Sequence, residues 1–147
     1  MDPLSSTASV IAVISLAGSV VKICGGYIQE VKGAKDEIIE LQQAITDLAN
    51  VLQELELRLR SSNGLELPSS QNLEGPLSKC HSTLAGLEMT ISPRKRTQVM
   101  RRLGIRALVW PFNRLEVKRT ISDLERYKST FILSLQIDTL SLQIDQK

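Results

Sequence analysis

The sequence predicts an all-α fold, a helical bundle of four long helices plus a short basic helix, and three observations carry that prediction. Apolar residues recur at alternating steps of three and four in four successive segments, the spacing that gathers them on one stripe of a helix. Aromatic residues are only 3% of the chain while Leu and Ile recur throughout, which suits interdigitating helices better than a β-sandwich rich in aromatic and β-branched residues. The 42% apolar content of a 147-residue chain is enough for one ordinary core, so a single domain is expected over 1–147.

In the first segment Val10, Ile14, Ala17, Val21, Cys24, Ile28 and Val31 follow the helical spacing, with Ser15, Ser19, Lys22 and Gln29 off the stripe. Lys32, Gly33 and Ala34 read as a tight connection, with Gly where a left-handed C-cap costs least. A short connection makes the next helix an antiparallel neighbour. That second helix carries Ile38, Leu41, Ile45, Leu48, Leu52, Leu55 and Leu59, with Asp36, Glu37, Glu40, Asp47 and Glu54 left for solvent.

From Ser61 to Pro76 the text turns to Ser, Asn, Gly, Pro and Gln, with turn signals at Asn63-Gly64 and Gly75-Pro76, so a flexible loop is expected over 61–76. A third helix follows on Leu73, Leu77, Cys80, Leu84, Leu87 and Ile91, and Pro93 limits it. After a basic stretch and "WPF" at 110–112 comes the fourth, on Val117, Ile121, Leu124, Phe131 and Leu135. Its end repeats itself seven residues apart, "LSLQIDT" then "LSLQIDQ", which reads as a helix continuing with a heptad face.

Charge and motif content narrow the function. Positions 1–93 hold 6 basic and 11 acidic residues and positions 94–147 hold 12 and 5, so the halves carry about −5 and +7, an asymmetry that points to a partner surface. Cys24 and Cys80 stand alone, without CxxC or Cys/His spacing, and a reducing cytosol fits them best. His81 has neither a second His nor a Glu at ligand spacing, the carboxylates are scattered, and neither GxxxxGK[ST] nor GxGxxG occurs. No enzyme activity, metal or cofactor is therefore expected. The basic run of Arg94, Lys95, Arg96, Arg101, Arg102 and Arg106 has three readings. Nucleic-acid binding is disfavoured because no aromatic residues interleave with the charges. The alternatives are an anionic-lipid contact, with Val99, Met100, Leu103 and Ala107 as an apolar strip, and a solvated face paired with the acidic half.

The opening stretch is the sharpest feature. Pro3 to Val21 is 19 residues without a charge. Asp2 and the length of the run disfavour a secretory signal. Its eight Leu, Ile and Val residues would contribute roughly 2 to 5 kcal/mol to insertion, against five serines, a threonine, a glycine and a proline. A helix of that length covers about 28 Å, just short of a hydrocarbon core of about 30 Å, so permanent insertion is marginal. A core helix is the first reading, because the apolar stripe runs on past Lys22 and Glu30; conditional membrane use is the second. Leu4, Val10, Ile11, Val13, Ile14, Leu16 and Val20 are the candidate membrane-contacting residues.

The opening "MDPLSSTASVIAVISLAGSVVKICGGYIQEV", the helix "EIIELQQAITDLANVLQELE", the segment "GPLSKCHSTLAGLE" and above all "WPFNRLEVKRTISDLERYKSTFILSLQID" resemble the N-terminal HeLo-like domain of fungal STAND, or NOD-like, receptor proteins. The resemblance covers nearly the whole chain. It implies a HeLo-like bundle that precedes nucleotide-binding and repeat domains in a longer chain. It also implies a cytoplasmic effector of regulated cell death, of the heterokaryon-incompatibility or innate-immunity type. Such an effector self-associates through its receptor and puts its first helix into the plasma membrane. The alternative is a non-lytic helical scaffold for oligomerisation and signalling. Some related death inducers carry a glycine zipper where this chain has only Gly18 among serines and alanines.

Overall fold

The computed structural model describes residues 3–30, 33, 35–61, 73–92 and 109–145, with side chains described from Ser6 and up to Ile137. The expected all-α class is what the structure has: four helices, α1 (Pro3–Glu30), α2 (Lys35–Ser61), α3 (Glu74–Ile91) and α4 (Arg114–Asp145), and no strand among the described residues. The expected short basic helix, with the basic run Arg94 to Arg106, lies outside the described residues.

Helix ends follow local chemistry. Gly33, between α1 and α2, has φ +114°, a conformation in which a β-carbon is strained. Asp36 and Glu37 sit in the first turn of α2 and Arg58 and Arg60 in its last, each sign where the helix dipole favours it. α3 opens on the Leu73 carbonyl, which accepts the Leu77 N–H at 2.9 Å. It ends at Ser92, whose ψ of 122° is the extended setting that the following Pro93 imposes. α4 is opened by a reciprocal cap: Asn113 Oδ1 accepts the Glu116 N–H at 2.8 Å, and the Asn113 N–H donates to Glu116 Oε1 at 3.4 Å.

Of the loop expected over 61–76, residues 62–72 lie outside the described residues and both margins are helical. Ser61 is still helical, and Glu74, Gly75 and Pro76 form the first turn of α3. Proline is tolerated there because a first-turn N–H has no intrahelical acceptor to lose. Burial of Leu73 fixes where the helix starts.

The helices form a ring in the order α1, α2, α4, α3, with the broadest seam between α1 and α2 and the thinnest between α3 and α4. α1 and α2 are antiparallel, as the short connection requires, and Gln42 Nε2 of α2 donates to the Val21 carbonyl of α1 at 3.0 Å. α1 and α3 run parallel: Ser9 and Val13 face Leu77 and His81 near one end, and at the other the Tyr27 hydroxyl donates to the Ile91 carbonyl at 2.9 Å. α2 and α4 are parallel too, with Asp36 and Glu40 across a groove from Arg114 and Lys118 at their N-terminal ends. The α1 N-terminus therefore lies at the same end of the bundle as the C-terminal half of α4.

The core is contiguous, and all seven expected stripe residues of α2 and all six of the third segment are buried in it. On α4, Val117, Leu124 and Phe131 are buried and Ile121 and Leu135 half-buried. On α1 the expected stripe needs correcting. The residues taken fully inside are Val10, Val13, Ala17, Val20, Cys24 and Tyr27, while Ile14, Val21 and Ile28 are half-buried at its edge. The two series share Val10, Ala17 and Cys24, and periodicity cannot choose between the flanking residues. The choice is tertiary, because α1 touches two helices: Val13 and Tyr27 face α3, and the Val21 side of the helix faces α2.

Candidate functional site

The face of α1 that points away from α2 and α3 is the unusual surface of this molecule. Its exposed positions are Ala8, Ile11, Ser15 and Gly18, with Ala12 exposed at the rim of the α1–α3 groove, and Lys22 is the first charge it meets. A surface helix of a soluble bundle ordinarily carries charged and amide side chains there, as α2 does with Glu40, Gln43, Asn50, Gln53 and Glu54. Over Ser6–Glu30 the mean hydropathy reaches 1.9, yet only 28% of that apolar window is buried inside the bundle. By length and composition this helix can cross a membrane, and a soluble core helix passes the same test.

The structure divides the seven candidate membrane residues. Val10, Val13 and Val20 are in the core, Ile14 and Leu16 are half-buried against it, and Ile11 is 39% exposed. The side chain of Leu4 lies outside the described residues. In the folded bundle these residues do not form one surface, so collecting them on a bilayer requires α1 to leave α2 and α3. The basic run of Arg94, Lys95, Arg96, Arg101, Arg102 and Arg106 also lies outside the described residues.

What holds α1 in place at its C-terminal end is an aromatic cluster whose members the periodic patterns did not join. Trp110 stands edge-on to Tyr27, with centroids 5.1 Å apart at 76°, and edge-on to Phe112 at 5.3 Å and 72°. T-shaped pairs of this kind add about 0.5–1.5 kcal/mol beyond their area. The Tyr27 hydroxyl meanwhile satisfies the Ile91 carbonyl, one of the acceptors that the end of α3 leaves without a helical donor. One cluster thus ties α1, the end of α3 and the approach to α4. Sequence offered only "WPF" and the three-residue step from Cys24 to Tyr27.

Among the described residues no group of three or more His, Cys, Asp or Glu is placed to hold a metal ion. His81 is exposed in the shallow groove between α1 and α3, beside Ser78 and Ser82. Cys24 and Cys80 are buried free thiols. Burial pushes Cys24 up to about 11 and Cys80 up to about 12, from an ordinary 9.0.

Both thiols should therefore resist alkylation in the native protein at neutral pH and react on unfolding. A group whose pKa is raised by folding leaves stability whole below its unfolded value and erodes it as pH rises toward the folded one. Stability should thus be flat on the thiols' account up to the ordinary 9.0 and fall toward 11 and 12. Denaturant titrations over that range in the native chain and in a Cys24→Ala, Cys80→Ala double variant check it. An equal fall in both would remove the thiols as the cause.

A family model described as "Pigment biosynthesis cluster protein PigL N-terminal" matches residues 1–146. No curated protein and no solved structure matches the chain.

Proposed function

The chain belongs to the PigL N-terminal family, a fungal N-terminal helical domain, and on that footing we propose that it is the effector domain of a fungal NOD-like receptor that triggers regulated cell death at a membrane. The observation that carries this reading is the uncharged outer face of α1, from Ala8 through Gly18, on a helix hydrophobic enough to span. A bundle needs only one apolar side on each helix. The second, charge-free side has a use when the whole circumference of α1 meets lipid.

At rest the domain is cytoplasmic and α1 keeps Val10, Val13, Ala17, Val20, Cys24 and Tyr27 against α2 and α3. Clustering by downstream nucleotide-binding and repeat domains raises the local concentration. The equilibrium then shifts toward a state in which lipid replaces the protein partners of α1. Arg94, Lys95, Arg96, Arg101, Arg102 and Arg106 would hold anionic headgroups at the plasma membrane, each contributing about 1 kcal/mol near the surface.

Fused to an inducible dimeriser and added to anionic vesicles, the domain is expected to co-float and to release trapped dye only after dimerisation. Forced oligomers that neither bind nor permeabilise the vesicles would overturn the membrane reading. A second reading, a non-lytic oligomerisation scaffold, is favoured by the exposed Leu133 and Ile137 on α4. It requires that the α1 face can be charged without loss of signalling.

A further inference from the structure

α4 carries two apolar stripes, and the bundle uses one. Val117, Leu124 and Phe131 face the core, with Leu135 continuing that side. On the opposite side the helix is polar from Arg119 through Ser122, Arg126 and Ser129, and then changes character. Leu133 is 56% exposed and Ile137 43% exposed, on a helix that runs on to Asp145. The same meridian continues through positions 140 and 144, Leu and Ile again, because the sequence repeats at seven residues. Leu133, Ile137, Leu140 and Ile144 are thus spaced four, three and four, the spacing of a heptad seam, and its two described members, Leu133 and Ile137, lie outside the protein's own core.

We infer that this seam pairs with the same seam of a second copy, as a parallel, in-register two-helix coiled coil over residues 133–144. The residues themselves specify that partner. Ile at the a positions (137, 144) with Leu at the d positions (133, 140) is the combination that favours two parallel strands. The flanking e and g positions are Ser134, Ser141, Gln136 and Gln143, so two identical helices meet without like charges across the seam. Upstream, the same register falls on Asp123 and Arg126, so pairing stops where the bundle body begins.

Two heptads bury less than the roughly 1,200 Å² of a standard stable interface, so the pairing is concentration-dependent. It also lies at the end of the bundle where α1 begins, so each pairing sets two α1 N-termini side by side. That last consequence rests on the membrane reading; the pairing does not.

The test uses the whole chain without vesicles. Sedimentation from micromolar to millimolar protein should report a monomer giving way to a dimer, and Ile137→Cys should form an oxidised covalent dimer that the native chain does not. The double variant Leu133→Lys, Ile137→Lys should keep its circular dichroism and melting temperature, both sites being exposed, and lose at least tenfold in dimer fraction. Leu57→Lys, exposed on α2 and off the seam, should pair normally. A chain that stays monomeric with no Ile137→Cys cross-link overturns the inference, as does a dimer that survives the double lysine variant. Cross-links between Leu133→Cys and Ile144→Cys chains would overturn the parallel register. In the separate vesicle assay, a dimer that forms but leaves vesicles intact keeps this inference and removes the membrane reading instead.

Discussion

Trp110→Ala is expected to destabilise the domain by about 3–5 kcal/mol, the usual cost of truncating a buried large aromatic, and to lower its melting temperature by roughly 10 °C. The indole is only 7% exposed and touches two other rings, so the space it leaves opens at the junction of α1, α3 and α4. Its Nε1–H has no hydrogen-bond partner among the described residues, so removing the ring also removes a buried unpaired donor, which places the loss toward the lower end of that range. Tyr27→Phe separates ring from hydroxyl: it keeps the edge-on contact, leaves the Ile91 carbonyl without this donor, and should cost about 1–3 kcal/mol. Urea titration of both variants checks the order. A loss under about 1 kcal/mol for Trp110→Ala would mean that the cluster does not hold this end of the bundle. Because the cluster fastens the C-terminal end of α1, the Trp110 variant should also bind anionic vesicles without induced clustering, whereas a core truncation remote from α1 should not.

Ser15→Asp should separate folding from membrane action. Ser15 is exposed at the middle of the charge-free face of α1, so the bundle should lose no more than about 0.5 kcal/mol. At the centre of a membrane-spanning helix the same carboxylate costs about 2.5–3.5 kcal/mol, which weakens insertion on the order of 100-fold. The expected result is an unchanged melting curve with vesicle flotation and dye release abolished after forced dimerisation. Full retention of both membrane readouts would sink the insertion mechanism, and retained signalling without them would favour the scaffold.

The four helices were legible because their information is local. Seven apolar positions spaced three and four apart on α2 and six from Leu73 to Ile91 needed only the 3.6-residue period to be assigned to the core, and the structure buries all thirteen. The candidate site was legible in part. The lack of charge between Pro3 and Val21 is plain in the letters, but which of those residues are spare is not. Val10, Val13 and Val20 look as available as Ile11 until α2 and α3 are in place. The aromatic cluster was hidden because Tyr27 and Trp110 are far apart in sequence and neither belongs to a repeating pattern that names the other. The apolar stripe placed the start of α3 at Leu73, but the loop was carried too far, to Pro76, because Gly75-Pro76 signals a turn locally, whereas a first-turn proline is compatible with a helix.

Sequence alone determined the all-α class, the solvent side of α2, the antiparallel α1–α2 pair and the charge-free length of α1, since each depends on residues within a few turns of one another. Tertiary structure alone decided that α1 lies between α2 and α3, with Val13, Val20 and Tyr27 inside and Ile14, Val21 and Ile28 at the edge. It also decided that "WPF" closes one end of the bundle and that Leu133 and Ile137 lie outside it. The physical reason is that helical periodicity fixes which residues share a face, while the direction that face takes depends on which other helices compete to cover it.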